Sequence, residues 1–205
     1  MPLRSTAPRF APRCARRAWG ACLLGLLMGC TQLPTSYGDD VEVVAEGGLE
    51  AANPGDVAIA PLLVMAEGVA PPEGELRKGF QNALVRRRYN PLSIEAVDRR
   101  AVNASYLPGQ LREDAVLQIV VHGWNDELWR TQSMLTYDLE ARLLDAREAG
   151  APVLWSGRRA EQLTMVRQRD ASIRDDESLL QEACNRIAVE ILTAMPARRP
   201  GPEGP

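Results

Sequence analysis

Histidine occurs once in this chain, at His122, and aromatic residues are few. A lone imidazole cannot build the usual His-rich zinc sets. No Gly-x-Ser-x-Gly segment is present to expose a serine nucleophile, so a serine hydrolase lacks its elbow. Neither a Walker loop nor Gly-x-Gly-x-x-Gly occurs, which leaves nucleotide binding without support. No apolar run reaches the roughly 20 residues that a membrane-spanning helix needs. No internal repeat is evident either. These absences remove most enzyme classes and point to a protein that binds rather than transforms.

What is present begins with an unusual leader. Five arginines (Arg4, Arg9, Arg13, Arg16, Arg17) and no acidic residue precede an apolar run of 11 residues, Ala18 to Met28. A basic start, a short apolar core and a small residue, Gly29, before the cut describe a secretory signal. Leu26-Leu27-Met28-Gly29-Cys30 closes it and resembles the bacterial lipobox. The resemblance implies cleavage after Gly29, a diacylglycerol on the Cys30 thiol and an N-acyl chain on the new amino terminus. No other cofactor is expected. Thr31 follows Cys30 where an aspartate would resemble an inner-membrane retention signal, so the expected location is the outer membrane, on its periplasmic face.

Processing changes the charge and the thiols. Loss of residues 1–29 leaves 176 residues, with 19 basic against 27 acidic ones, a net charge near −8. That balance disfavours nucleic acid and a polybasic membrane contact, so attachment would come from lipid, for which two or more chains suffice. Cys14 and Cys22 leave with the signal and Cys30 is lipidated. Cys184 then has no partner for an internal disulfide, and on an apolar helical stripe it reads as a small buried hydrophobe.

Residues 30–55 carry repeated Pro and Gly with several acidic residues and read as a flexible tether, although Val41, Val43 and Val44 could pair locally. Residues 56–196 form one α/β (α+β) domain. Its first strand is 56–63, apolar enough to be buried on both faces. A helix over 73–88 has Leu76, Phe80, Ala83 and Leu84 on one stripe, acidic residues in its first turn and Arg86-Arg87-Arg88 at its end. The arginine triplet is read as serving the helix dipole, with a docking patch as the lesser alternative. A short strand at 89–94 and a short helix at 96–102 follow, and Asn103-Ala104-Ser105 matches a glycosylation sequon without meaning for most bacterial exports. Strands at 114–129, 133–144 and 153–156 give an antiparallel meander. In the second of these, Thr136, Asp138, Glu140 and Arg142 alternate with apolar residues and mark a solvated face. Residues 158–173 are polar and carry no clear period. A long helix capped by Asp175 or Asp176 ends at Pro196, and 197–205 reads as a disordered tail. The expected architecture is a mixed sheet of about five strands with helices packed on it.

Few residues invite chemistry. Val120-Val121-His122-Gly123-Trp124 resembles the oxyanion-loop segment of α/β-hydrolases, but the sole histidine lies inside it and no base remains. Asp39-Asp40 and Asp175-Asp176 sit in the tether and at a helix start, where solvation or capping suffices. No catalytic and no metal residue is assigned. Trp124 and Trp129, in a loop at a strand end, are the candidate interaction residues, either as exposed anchors or tucked under the meander.

The ordered motifs Asp114-Ala115-Val116-Leu117, Leu143-Leu144-Asp145, Gly150 and Leu154-Trp155-Ser156-Gly157 resemble a family of small bacterial lipoproteins over residues 56–160. The resemblance implies a fold shared with the curli-export lipoprotein and the amino-terminal domain of the Tol-system propeller protein, used to bind envelope proteins. The expected function is therefore a non-catalytic, lipid-anchored assembly or accessory component of an envelope export or transport complex, with homo-oligomers possible. The alternative is a binding module for a small envelope ligand, a lipid or cell-wall fragment.

Overall fold

A computed structural model of the chain describes residues 41–102, 105–166 and 176–200. In chain order it contains β1 (Glu42–Glu46), α1 (Leu49–Ala52), β2 (Asp56–Ile59), β3 (Leu63–Val64), α2 (Glu73–Arg86) and β4 (Asn90–Pro91). Next come α3 (Ile94–Asp98), β5 (Ala115–Asn125), α4 (Trp129–Gln132), β6 (Met134–Asp145), β7 (Val153–Thr164) and α5 (Asp176–Thr193). The strands form one mixed sheet of seven in the order β1-β7-β6-β5-β2-β4, with β3 also paired to β5. This is the α+β class expected, with helices on the sheet and a long helix near the C-terminus.

β5 is the axis. Its apolar run is paired along its length to antiparallel β6. Its other side is shared by two parallel strands, β2 against Ala115 to Leu117 and β3 against Val120 and Val121. The break between β2 and β3 falls at Ala60-Pro61-Leu62, where a proline cannot donate to a ladder. Residues 158–164, which showed no period in the sequence, are the second half of β7. Each long strand of the meander has a twelve-residue or near-equal partner, so register rather than apolar alternation holds the polar half in place.

Two helices cover one face. Leu76, Phe80, Ala83 and Leu84 of α2 are buried as the stripe predicts, and α5 buries Leu179, Ala183, Cys184, Ile187 and Ile191. They join Ile59, Leu117, Ile119, Leu139, Leu143 and Trp155 in the main core. A smaller core on the opposite face packs Val97 of α3 and Tyr106 over Ala58, Ala60 and Val116. Arg77 bridges these layers at the sheet edge, where its Nη2 donates to the Ile59 carbonyl (2.8 Å) and its Nη1 to Asp98 (2.6 Å). The Ile59 carbonyl, which lies on the β4 side of β2 beyond the end of that short strand, is thus satisfied.

Local signals end the elements. The Ser93 hydroxyl accepts from the Ala96 N–H (3.1 Å) and caps α3. α2 closes in a Schellman turn, with the Tyr89 N–H bonded to Leu84 O (3.1 Å) and the Arg88 N–H to Val85 O (2.9 Å). α5 begins at Asp176, and Asp175 lies outside the described residues, as does most of the sequon.

The tether reading is corrected over its second half. Glu42–Glu46 adds to the sheet as β1, and Leu49 of the one-turn α1 is buried in the main core. Of the valines that could pair locally, Val43 instead pairs across the fold with Gly157 of β7, and Val44 sits at a bulge in that ladder. The domain therefore begins near Val41 rather than Asp56.

α2 and α5 approach most closely at Gly79. A Cβ there would stand 2.7 Å from the Cys184 carbonyl oxygen and 2.9 Å from its carbon. Gly79→Ala gains about 1 kcal/mol of helix propensity, but overpacking against backbone costs about 1–3 kcal/mol. We expect a lower urea midpoint for this variant. A higher midpoint would show that the two helices are free to separate.

Candidate interaction surface

Trp124 and Trp129 do not form an exposed anchor pair. Trp124 closes β5 opposite Tyr137 and is 8% exposed, while Trp129 opens α4 and is 6% exposed. Both belong to the main core. The cause is the turn at α4: Ser133 takes a left-handed φ of 52° and reverses the chain, so the loop folds over the end of the core. Trp124→Ala and Trp129→Ala should each cost about 3–5 kcal/mol, as core aromatics do. Chemical denaturation checks this, and a loss below about 1 kcal/mol would return the residues to the surface.

The face of the meander that alternation marks as solvated is corrected as well. Thr136 and Arg142 are half-buried, but Asp138 and Glu140 are each only 5% exposed. Arginines from the same face fold across them. Arg142 donates to Glu140 through Nε (2.7 Å) and Nη2 (2.8 Å), and His122 Nε2 lies 3.1 Å from the same carboxylate. Arg158 donates to Asp138 in the same forked manner, at 2.8 and 2.6 Å. The register explains the set, because Glu140 stands opposite Arg158 and Val120, and His122 sits at the bulge between Val121 and Gly123. One forked pair within β6 and one from β7 to β6 lie side by side and make a ladder of charge-assisted bonds. The acid–acid–arginine spacing of β6 and Arg158 in the following strand were the signal in the sequence.

The two hydrogen bonds from Arg142, and then the His122 contact, hold the Glu140 carboxyl below its ordinary range. Arg147 does the same for Asp145, at the end of the same strand. A folded-state value lowered in this way adds stability above the ordinary glutamate range. That contribution is lost as pH falls through the folded value. Glu140→Gln should lower stability at pH 7 by about 1–2 kcal/mol and flatten the loss between neutral and acidic pH. Equal acid slopes for variant and parent in urea titrations would contradict the pairing.

The sheet has two edge strands, β1 and the two-residue β4, and β1 is the longer. Among the described residues it pairs only with β7, through Glu42 to Arg158, Val43 to Gly157 and Ala45 to Ser156, with a bulge at Val44. Val43 and Val44 are exposed, Val44 at 56%. This edge, not the tryptophan loop, offers unpaired backbone groups.

Other candidates resolve simply. Cys184 is fully buried and burial, followed by Glu75, pushes its thiol up to about 12, which fits a core hydrophobe. His122 is engaged by Glu140. No group of three or more His, Cys, Asp or Glu side chains comes together among the described residues. No helix among them is long and apolar enough to cross a membrane. Gly29 and Cys30 lie outside the described residues.

No family model matches the chain and no curated protein matches it. Solved structures do resemble it. The PelC dodecamer from Paraburkholderia phytofirmans is 14% identical, with 78% of this chain and 98% of that one covered, at a TM-score of 0.48. Lipoprotein GNA1162 from Neisseria meningitidis is 22% identical, with 66% and 99% covered and a TM-score of 0.44. The LpoB C-terminal domain from Salmonella enterica is 14% identical, with 58% and 87% covered and a TM-score of 0.41. Likeness of this degree assigns neither an activity nor a partner to the chain.

Proposed function

We propose that the protein is a lipid-anchored envelope component, held by Cys30 at the periplasmic face of the outer membrane, that binds another envelope protein by strand addition to β1. The observation that carries the reading is the position of that strand. It is the longer of the two edge strands of the sheet, and it follows Cys30 by only 12 residues in the chain. A chain of that length spans at most about 40 Å when extended, so the anchor keeps β1 near the membrane. An added strand would supply main-chain hydrogen bonds, and Val43 and Val44 would supply the apolar contact. Support for a non-catalytic accessory role comes from the missing nucleophile elbow and phosphate loops. The fold resemblance to the curli-export lipoprotein and the Tol propeller's amino-terminal domain belongs to the same reading.

The edge itself favours a partner over a second copy. Residues 39–46 carry four carboxylates and no basic residue, so two such strands side by side would repel. A partner strand with lysine or arginine between apolar residues is complementary.

Two measurements test this. Cys30→Ala should abolish palmitate labelling and leave an unprocessed precursor, and equal label in variant and parent would remove the anchor. A photo-crosslinking residue at position 44 in living cells should give one discrete adduct with an envelope protein, lost in Val43→Lys. Because exposed substitutions shift stability by only about 0.5 kcal/mol, Val43→Lys should keep the parent's thermal midpoint. An adduct that persists in Val43→Lys, or none at all, would reject β1 as the docking edge.

A further inference from the structure

The C-terminal ends of α2 and α5 lie beside each other and enclose an open-mouthed cavity of about 470 Å³. That volume lies within the roughly 300–1,000 Å³ of small-molecule sites. Three consecutive arginines, Arg86, Arg87 and Arg88, line it together with Ala83, Val189 and Leu192, and no carboxylate does. In a chain with an acidic balance this is a concentrated positive site.

Helix-end electrostatics accounts for part of it. Arg87 Nη2 donates to the Thr193 carbonyl at the end of α5, which ties the two helices together. One such cation answers the partial negative charge of a helix end. The side chains of Arg86 and Arg88 have no hydrogen-bond or ion-pair partner among the described residues, and both are exposed. Arg88 also occupies the left-handed position of the Schellman turn, with φ 68°. Glycine serves that position without strain.

The rest of the lining limits what can bind. Thr193 is a neutral polar side chain there, and its hydroxyl donates to the Val189 carbonyl (2.7 Å). That donor is then used, and the free side-chain donors of the lining are the guanidinium groups of Arg86 and Arg88. Ala83 and Leu192 are buried, so the apolar surface next to the free guanidinium groups comes from half-buried Val189 and exposed Ala197. Guanidinium forks match phosphate oxygens two at a time, and more than one fork suits a group with several charged oxygens. We propose that this cavity binds a phosphate-headed amphiphile, with the phosphate on Arg86 and Arg88 and the apolar portion over Val189 and Ala197. The proposal is independent of the β1 edge.

Calorimetry on the full lipid-anchored chain in a neutral detergent tests it, with dihexanoyl phosphatidate, dihexanoyl phosphatidylcholine and inorganic phosphate as probes. Phosphatidate should bind saturably at one site, at least about tenfold tighter than either other probe, since only it meets both guanidiniums and the apolar surface. Arg88→Gly relieves the left-handed strain, so it should raise the thermal midpoint while weakening phosphatidate binding. Arg86→Gln should weaken binding at an unchanged midpoint. Absence of saturable phosphatidate binding would overturn the proposal, as would binding that Arg86→Gln and Arg88→Gly leave unchanged. Phosphate binding as tightly as phosphatidate would leave only an anion site and overturn the amphiphile assignment.

Discussion

Everything in this fold leans on β5. It is the one strand that joins the two halves of the sheet, parallel to β2 and β3 on one side and antiparallel to β6 on the other. Ala115, Leu117, Ile119 and Val121 feed the main core, and Val116 feeds the smaller one. A strand buried on both faces needs a near-continuous apolar run, which its sequence supplies. The parallel side brings in α2 as a crossover, and the antiparallel side builds the meander on which the charged ladder and the free edge are carried. Loss of apolar character in β5 would therefore remove both cores together.

The acidic surplus is handled unevenly. On the meander, Asp138 and Glu140 are drawn under arginines from the same face, so an apparently wet surface becomes a bonded ladder. Glu113 is likewise buried, accepting from the Tyr106 hydroxyl and the Gly109 and Leu111 N–H groups, and so shapes the segment that covers the smaller core. At the far ends of α2 and α5 the arginines are left without such partners. The chain thus spends most of its buried carboxylates on structure and leaves one cationic recess.

Much of the architecture was legible in the residues. The stripe of α2, the apolar run of β5, the alternation of β6 and the apolar face of α5 each have a period that only one packing satisfies. Three features were not. β1 sits among glycines and carboxylates, and its pairing with β7 is non-local, so no local pattern announces it. Arg158 to Thr164 reads as polar because its charged side chains are satisfied across the strand by Asp138 and by the Glu161–Glu190 group rather than by burial among apolar neighbours. Trp124 and Trp129 looked like loop residues because the turn at Ser133 that folds them inward depends on a left-handed non-glycine residue, which composition does not signal. Lipidation at Cys30 is the reverse case, a reading from short motifs alone.

The central claim is that β1 is a strand awaiting a partner beside the membrane. Hydrogen exchange along β1 in the purified lipid-anchored chain and in native envelope membranes tests it most directly, since amides at an unpaired edge exchange freely and those in a ladder do not. The account predicts rapid exchange in the purified protein at those β1 amides that do not bond to β7, and clear protection of the same amides in membranes, with β5 slow in both. Equal, rapid exchange of β1 in the two settings would contradict it.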